Sequence, residues 1–153
     1  MAYWLFKSEP SSFSIDDLAR AQRPEPWSGV RNFQARNFLR GMAIGDRGFF
    51  YHSSCPEPAV VGEVEIVSAP YPDFTAQDPA DHHYDPRTLK DPTLWSLVDV
   101  VLRERYAVPV TLARLKACPA LSGMRLLARG NRLSVLPVSE HEWRTIRGLA
   151  GRA

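Results

Sequence analysis

The apolar runs that have the length of β-strands are separated by irregular intervals, and this spacing is what most limits the fold. The first run, residues 3–6, contains three aromatic side chains and is typical of a buried, central strand. Short helical patterns lie between the later runs, without the regular alternation of strand and helix that a doubly wound sheet requires. The sequence therefore predicts an α+β fold, a small twisted mixed β-barrel flanked by short helices. The predicted strands cover residues 3–6, 48–52, 59–67, 95–102 and 133–138.

Capping residues mark where helices begin. Asn32 is a favourable N-cap, and Gly41 is placed to end the helix that follows it. Ser139 and Glu142 have the spacing of a capping box. We therefore expect short helices to begin after Ser14, Asn32, Thr111 and Ser139.

The segments around these elements carry weaker patterns. Residues 59–67 alternate apolar and acidic side chains from Gly62 onward, so one face of this strand should be solvated. Residues 53–58 are proline-rich and too long for a two-residue hairpin turn, which predicts an ordered surface loop. Residues 69–92 combine many Pro and Asp with aromatic residues and show no periodicity. We expect this long excursion to fold down onto the body; a disordered linker is the alternative.

Length and composition favour one domain over residues 1–153, because two halves of a 153-residue chain would each have a marginal core. No apolar stretch approaches the roughly 18 residues needed to span a bilayer, and the first residues do not form a signal peptide. The two cysteines, Cys55 and Cys118, suit a reducing compartment. No apolar stripe is left over for a large interface. The expected protein is a cytoplasmic monomer with free thiols and no membrane contact.

The motifs of several enzyme and cofactor classes are missing. The sequence has no G-x-x-x-x-G-K loop, no G-x-G-x-x-G and no G-x-S-x-G elbow, so nucleotide hydrolysis, dinucleotide binding and serine hydrolase chemistry are not indicated. His82 and His83 are adjacent but lack a second ligand pair at a spacing typical of zinc sites. We therefore expect no cofactor and no metal, and a surface-loop role for the two histidines.

Four segments with polar and aromatic residues stand at the ends of apolar runs or in Gly-marked turns, where proteins usually present ligand-binding residues. The net charge is only +2, but arginines gather in two stretches beside these segments. They are typical of a phosphate-facing rim, and solvated surface arginines are the alternative. The four segments are residues 7–10, 27–32, 51–54 and 129–134; the arginines are Arg31, Arg36, Arg40 and Arg47 in one stretch and Arg125, Arg129 and Arg132 in the other.

Together with their flanking strands, these segments resemble the EVE domain family of the PUA-like superfamily nearly end to end. The resemblance implies a PUA-like barrel whose pocket receives a modified base, with modified cytosines in DNA as the leading ligands. Relatives with the YTH fold read methylated adenine in RNA. The matching motifs are YWLFKSEP at 3–10, WSGVRNFQARNFL at 27–39, GD at 45–46, FFYHS at 49–53, YPD at 71–73, YDP at 84–86, VDV at 98–100 and RGNRLSV at 129–135.

A flipped base needs a flat wall, hydrogen-bonding groups and a small apolar recess. We expect Trp27 to supply the wall, Val30 and Leu133 the recess, and Arg31 a contact to a phosphate or base edge. Asn32, Ser53 and Ser134 are expected to supply the hydrogen bonds. Structural roles are the alternative: Trp27 as a core residue, Asn32 as a helix cap, and Ser53 and Ser134 as partners of backbone groups at strand ends. The expected base pocket is Trp27, Val30, Arg31, Asn32, Ser53, Ser54, Leu133 and Ser134, and the expected rim or phosphate contacts are Lys7, Ser8, Arg36, Arg129, Gly130 and Arg132.

The sequence departs from the family pattern at three places, so base preference is expected to differ from that of close relatives. Leu136 stands where glutamine is common before Pro-Val, and Ser54 stands where asparagine is common after Tyr-His-Ser. His82 and His83 replace a more usual lysine and tyrosine. We expect the Leu136 departure to remove a hydrogen bond from the site.

Two other functions are compatible with the sequence. One is an RNA-binding module that grips phosphate and recognises an unpaired base without regard to modification. The other is a small amidohydrolase that acts on a modified cytidine through Lys7, Ser8 and Glu9. In an extended strand Lys7 and Glu9 share a face while Ser8 points away, so the tripeptide alone does not assemble a lysine-activated nucleophile.

Overall fold

A curled, six-stranded mixed sheet forms the body of the protein in the computed structural model, which describes residues 1–150. The strands are β1 (Tyr3–Ser8), β2 (Glu25–Pro26), β3 (Arg47–His52), β4 (Ala59–Ile66), β5 (Tyr71–Pro72), β6 (Ser96–Leu97), β7 (Asp99–Thr111) and β8 (Val135–Val138). The main sheet has the order β2-β7-β4-β3-β1-β8, and β5 pairs with β6 beside it. Strand β1 runs parallel to β3, and the other neighbours are antiparallel. The predicted α+β class is confirmed, and β1 lies inside the sheet as expected.

Both faces of the sheet are packed. Trp4 and Phe6 of β1 enter one core cluster, while Leu5 enters the other. Strand β3 repeats this division, because Phe50 belongs to the first cluster and Phe49 to the second. With apolar side chains covering both faces, the ends of the strands and their loops are the places where polar ligand-binding groups can gather.

The solvated face predicted for β4 is wrong. Glu63, one of its alternating acidic residues, is 2% exposed. Its carboxylate accepts hydrogen bonds from the Tyr106 hydroxyl at 2.6 Å and from Arg147 Nε at 2.8 Å. Burial, and then the bond to this carboxylate, raise the pKa of Tyr106. The acidic residue is tolerated inside because it is paired and hydrogen-bonded by partners distant in sequence.

The predicted helix starts are confirmed. The Ser14, Asn32, Thr111 and Ser139 side chains each accept a backbone N–H of the first turn, and Gly41 follows the second helix. These bonds satisfy donors that a helix leaves free at its N-terminus. The helices are α1 (Ile15–Arg20), α2 (Phe33–Arg40), α3 (Leu112–Lys116) and α4 (Glu140–Leu149), with 3-10 turns at Phe74–Gln77, Pro86–Leu89, Pro119–Leu121 and Arg125–Leu127.

The excursion at residues 69–92 is folded onto the body, as predicted. Asp85 accepts a hydrogen bond from the buried indole of Trp95 at 2.8 Å, and the Thr88 hydroxyl is bonded to the Ala76 carbonyl at 3.1 Å. The strand predicted at 95–102 is instead β6 and the much longer β7, which continues because β4 pairs with it as far as Thr111. Strand β8 begins two residues later than predicted, at Val135.

The two cysteines, Cys55 and Cys118, are free thiols. Among residues 1–150, no helix combines the length and the apolar character needed to cross a bilayer.

Candidate ligand-binding site

The largest of the described clefts opens at the end of β1 and has a volume of about 590 Å³. This volume lies in the range of about 300–1,000 Å³ that is typical of small-molecule sites. Its wall combines aromatic rings with groups of both charges, as a polar aromatic ligand requires. The residues lining this main cleft are Lys7, Ser8, Glu9, Ser12, Phe13, Glu25, Pro26, Trp27, Ser28, Gly29, Phe74, Thr75, His82 and His83.

Backbone pairing brings two predicted serines next to the main cleft without placing them in its wall. The Ser53 N–H donates to the Ser8 carbonyl at 3.0 Å, and the Lys7 N–H donates to the Ser134 carbonyl at 2.8 Å. Ser53 and Ser134 therefore flank the end of β1 from the two neighbouring strands. Ser54 is exposed in the loop beyond β3, where it has a positive φ of 53°.

Trp27 combines the two roles that the sequence left as alternatives. The indole is 7% exposed and makes edge-to-face contacts with Phe6, Phe13 and Phe50, so it is part of the core. It also lines the main cleft, where Phe13 is beside it. Its backbone N–H donates to the Val98 carbonyl at 2.8 Å, which ties the segment after β2 to the sheet. The indole is thus a rigid wall for the cleft.

A buried carboxylate, Asp73, connects Gly29 and Thr75, two residues that line the main cleft. It accepts hydrogen bonds from the Gly29 N–H at 2.8 Å, the Thr75 N–H at 2.9 Å and the Thr75 hydroxyl at 2.6 Å, and it forms an ion pair with Arg31 at 3.0 Å. Burial by itself would raise the pKa of Asp73, but these bonds and the Arg31 charge together lower it. Asp73 therefore joins the excursion to the loop that follows Trp27.

Arg31 is a structural residue here, which corrects its predicted role in contacting a base or phosphate. Its guanidinium makes five hydrogen bonds, all to protein acceptors: the carbonyls of Val30 and His83, the Asp73 carboxylate and the Thr75 hydroxyl. A guanidinium has five N–H donors, so none is left for a ligand. The sequence alone does not place residue 73 beside residue 31, so it gives no sign of this pairing.

Gly29 allows the excursion to approach the main cleft closely. Its φ is +86°, and a Cβ at this position would lie 2.7 Å from the His83 ring. Glycine alone adopts such a φ without strain and leaves room for the ring. The His83 imidazole therefore packs directly on the backbone beside Trp27.

Burial changes the pKa values of two ionisable groups in the main cleft. The pKa of Lys7 is lowered by burial. The pKa of Glu25 is raised by burial and then by the nearby negative charge of Asp99. Within residues 1–150, the Lys7 ammonium has no hydrogen bond or ion pair. The main cleft therefore offers the Lys7 ammonium, unengaged within residues 1–150, and carboxylates that can bind the polar edge of a ligand.

A second cleft, which we call the arginine cleft, has a volume of about 330 Å³. In the described part of the chain, Arg129 and Arg132 make no hydrogen bond or ion pair there. Asn32 also lines this cleft, but its side chain caps α2 by accepting the Ala35 N–H at 2.9 Å. Arg36 lies outside the cleft and donates to the Leu94 carbonyl at 3.1 Å. The lining residues are Asn32, Gln34, Ala128, Arg129, Gly130, Asn131, Arg132 and Leu133.

The predicted pocket is therefore divided. Lys7, Ser8 and Trp27 share the main cleft, whereas Asn32, Arg129, Gly130, Arg132 and Leu133 share the arginine cleft. Val30 is 4% exposed and belongs to the core. Leu136 is fully buried in the second core cluster and lines neither cleft.

Sequence reasoning missed several cleft residues. Phe74 is 53% exposed and lines the main cleft, yet the sequence marked it only as one aromatic residue of the excursion. Asp73 and Thr75 carry a usable signal, since Asp-x-Thr is a pattern in which the Asp side chain bonds the backbone two residues on. Glu25 had no such signal, because a lone Glu beside Pro is ordinary surface sequence.

The curled mixed sheet and the cleft at the end of its first strand define a small PUA-like domain. The EVE domain family matches residues 2–149, and the chain belongs to this family. It is 43% identical over 159 residues to thymocyte nuclear protein 1 of Gallus gallus, with 92% of this chain covered. It spans 65% of the length of that relative.

Solved structures agree with this assignment. A Pseudomonas putida protein has a TM-score of 0.93 at 48% identity, over 97% of this chain and 99% of that one. The human THYN1 protein, solved in complex with DNA containing 5-methylcytosine, has a TM-score of 0.92 at 38% identity, over 100% of this chain and 99% of that one. The YTH domain of Zygosaccharomyces rouxii MRB1, at a TM-score of 0.56 and 12% identity, shares the fold alone.

Proposed function

We propose that this protein is a non-enzymatic nucleic-acid-binding domain that receives a flipped, modified cytosine of DNA in its main cleft. The observation that carries the proposal is the cleft itself, which joins a fixed indole wall to unengaged polar groups at the end of β1. The similarity to human THYN1, a protein solved with DNA containing 5-methylcytosine, supports the choice of base.

The chemistry of the main cleft suits a cytosine ring. Trp27 and Phe13 offer flat walls, and the exposed Phe74 offers a third ring at the rim. The cytosine edge has an amino donor beside two acceptors, so carboxylates and a cation are matching partners. Glu25 can accept from the amino group, and Lys7 can donate to a ring acceptor. Apolar contact from the aromatic side chains suits a methyl group on the ring.

The arginine cleft suits the phosphate backbone. Arg129 and Arg132 have no partner within residues 1–150, so their donors are free for phosphate oxygens. Leu133, which lines this cleft, is followed by Ser134, whose carbonyl binds the Lys7 N–H of the main cleft. A single strand can therefore place a base in one cleft while its phosphates contact the other.

The first experiment measures fluorescence anisotropy with oligonucleotides that carry cytosine, 5-methylcytosine or 5-hydroxymethylcytosine, in single- and double-stranded forms. We expect tighter binding of a modified base, and a loss of affinity of about 5- to 150-fold in Phe74→Ala, because one stacked base contributes about 1–3 kcal/mol. The control is Ile44→Ala, since Ile44 is another large exposed apolar residue, 67% exposed, and lies outside both clefts. Equal binding of every oligonucleotide would instead favour a general RNA-binding module.

Trp27→Phe tests the wall of the main cleft with less disruption of the core than Trp27→Ala, because Trp27→Ala removes a core side chain. We expect Trp27→Phe to lower the preference for the modified base while the protein remains folded by circular dichroism. Unchanged preference in both Trp27→Phe and Phe74→Ala would contradict the position of the base.

The phosphate contact is tested by salt dependence. Each phosphate contact contributes about 0.7–0.9 to the slope of log affinity against log salt, so the Arg129→Gln/Arg132→Gln double variant should reduce the slope by about 1.5. The charge-matched control is Arg20→Gln/Arg144→Gln, whose side chains are exposed and pair with carboxylates elsewhere. Equal slopes for the two double variants would exclude the arginine cleft as the phosphate site.

Amidohydrolysis is a second candidate, because Lys7, Ser8 and Glu9 all line the main cleft. Lys7 and Ser8 are neighbours at the end of the extended strand β1, and both residues line the cleft. The Ser8 hydroxyl donates to the Phe13 carbonyl at 2.6 Å, so Lys7 does not hold it as a nucleophile. Incubation with N4-acylated cytidines, followed by chromatography, tests this: release of acid that Lys7→Met abolishes would replace the reader proposal.

A further inference from the structure

We propose that Asp81, His82 and His83 form a binding site for a divalent transition-metal ion of the zinc type at the mouth of the main cleft. The sequence alone argued against a metal because the two histidines lacked further ligands. The structure adds a carboxylate to them: one possible ligand atom from each of the three residues lies within 4.8 Å of the others.

The distances within this trio fit a tetrahedral ion. Asp81 Oδ1 lies 3.4 Å from His83 Nδ1 and 3.7 Å from His82 Nδ1. Two ligands bound at about 2.0–2.1 Å at a tetrahedral angle are separated by about 3.3 Å. Both distances exceed the usual length of an N–H···O hydrogen bond, so no such bond joins either ring nitrogen to this carboxylate oxygen. The His82 and His83 rings are tilted against each other with their centroids 3.9 Å apart, so binding of one ion requires the exposed His82 ring to rotate away from this contact.

The loop that carries the trio is held in place from several sides. The His83 N–H donates to Asp81 Oδ1 at 2.8 Å, and the His83 carbonyl accepts two hydrogen bonds from Arg31. The His83 ring rests on Gly29, which has no side chain to displace it. Asp81 and His83 are therefore held in position before the ion arrives, and these two ligands lose less conformational entropy on binding.

The electrostatics of the surroundings permit a cation. The Arg31 charge is the nearest obstacle, but Arg31 is paired with Asp73 at 3.0 Å. Two imidazoles and one carboxylate suit Zn²⁺, Ni²⁺ or Co²⁺ rather than Mg²⁺, which prefers oxygen ligands. Three protein ligands leave a fourth position for water or another small ligand. His82 and His83 also line the main cleft, so a ligand in the cleft can reach that position.

The test uses the untagged full chain and isothermal titration with ZnCl₂, with Co²⁺ absorption as a second readout for tetrahedral geometry. We expect one ion per chain, and a loss of more than about tenfold in affinity for His82→Gln. His82 is exposed, with its side chain 85% accessible, so this change does not disturb the fold. Asp81→Asn, which keeps an acceptor for the His83 N–H, should weaken binding similarly. Neither measurement involves nucleic acid, so the outcome is independent of the reader proposal.

The matched control is His141→Gln, because His141 is an exposed histidine on α4 outside both clefts. Zinc binding that is unchanged in His82→Gln and Asp81→Asn, or that is lost in His141→Gln, would overturn the proposal. Absence of any heat or Co²⁺ spectrum with the wild-type chain would overturn it as well.

Discussion

Replacing Asp73 by Asn should destabilise the protein more than any other isosteric change near the main cleft. The Asp73 side chain is fully buried and accepts from Gly29, Arg31 and Thr75. Removing one partner of a buried ion pair costs about 3–5 kcal/mol. Arg31 is 22% exposed, so water can solvate part of its charge, and we expect about 3 kcal/mol. For a domain of this size, the melting temperature should fall by roughly 10 °C.

Urea unfolding at neutral pH, followed by circular dichroism, measures this change. The control is Asp78→Asn, an exposed residue of the same excursion whose side chain, within residues 1–150, accepts one hydrogen bond, from the Ala80 N–H at 2.9 Å. This control should lose less than about 1 kcal/mol. If the free energy of unfolding of Asp73→Asn lies within about 1 kcal/mol of the wild-type value, Asp73 does not join the excursion to the body in the way described.

The pH dependence of the Asp73→Asn difference provides a separate check. The pKa of Asp73 is lowered in the folded protein, so the unfolded chain binds the proton more readily. The carboxylate therefore contributes its full stability above its unfolded pKa of about 3.9, and this contribution is lost as the pH falls through the lower folded value. The difference between wild type and Asp73→Asn should be constant from pH 5 to 7 and shrink below about pH 4. A difference that grows on acidification would refute this account.

Three further predictions concern other buried or strained positions. Glu63→Gln keeps the shape of the buried side chain that accepts a hydrogen bond from Arg147 at 2.8 Å, but it removes the negative charge. Urea unfolding should therefore show that the free energy of unfolding falls by about 1–3 kcal/mol. His52 is kept neutral because burial lowers its pKa, so wild-type stability should be full above about pH 6.5 and fall below it, and His52→Gln should show a smaller fall between pH 7 and 5. Gly29→Ala puts an alanine at a φ of +86°, with its Cβ 2.7 Å from the His83 ring. The free energy of unfolding should therefore fall by about 1–3 kcal/mol, and oligonucleotide binding should weaken in the anisotropy assay.

Each of these three variants has a control variant, which separates the local cause from a general effect of the substitution on stability. Glu140→Gln removes an exposed carboxylate of α4, and His141→Gln removes an exposed imidazole of the same helix. Gly123→Ala adds a Cβ with no neighbour within 4 Å. Equal losses in a variant and its counterpart, or equal pH profiles for His52→Gln and His141→Gln, would contradict the stated causes.

The family resemblance was recognisable from the sequence, and the family match confirms it. The α+β class, the helix caps at Asn32 and Ser139, and the folded excursion followed from local signals, because caps and turn residues act within a few positions of themselves. The apolar run at residues 3–6 was enough to place β1 inside the sheet, since a strand with large apolar residues on both faces needs cover on both.

Only the tertiary structure decided which of these side chains are free to meet a ligand. Arg31 and Arg132 are the same residue type, but Arg31 is paired with Asp73, 42 positions away, whereas Arg132 has no partner within residues 1–150. Glu63 was assigned to a solvated face because its partners, Tyr106 and Arg147, are 43 and 84 residues away. Short-range patterns determine local structure, whereas the partners of a charged group are set by long-range packing, because burial is favourable for a polar group only when its hydrogen bonds are satisfied.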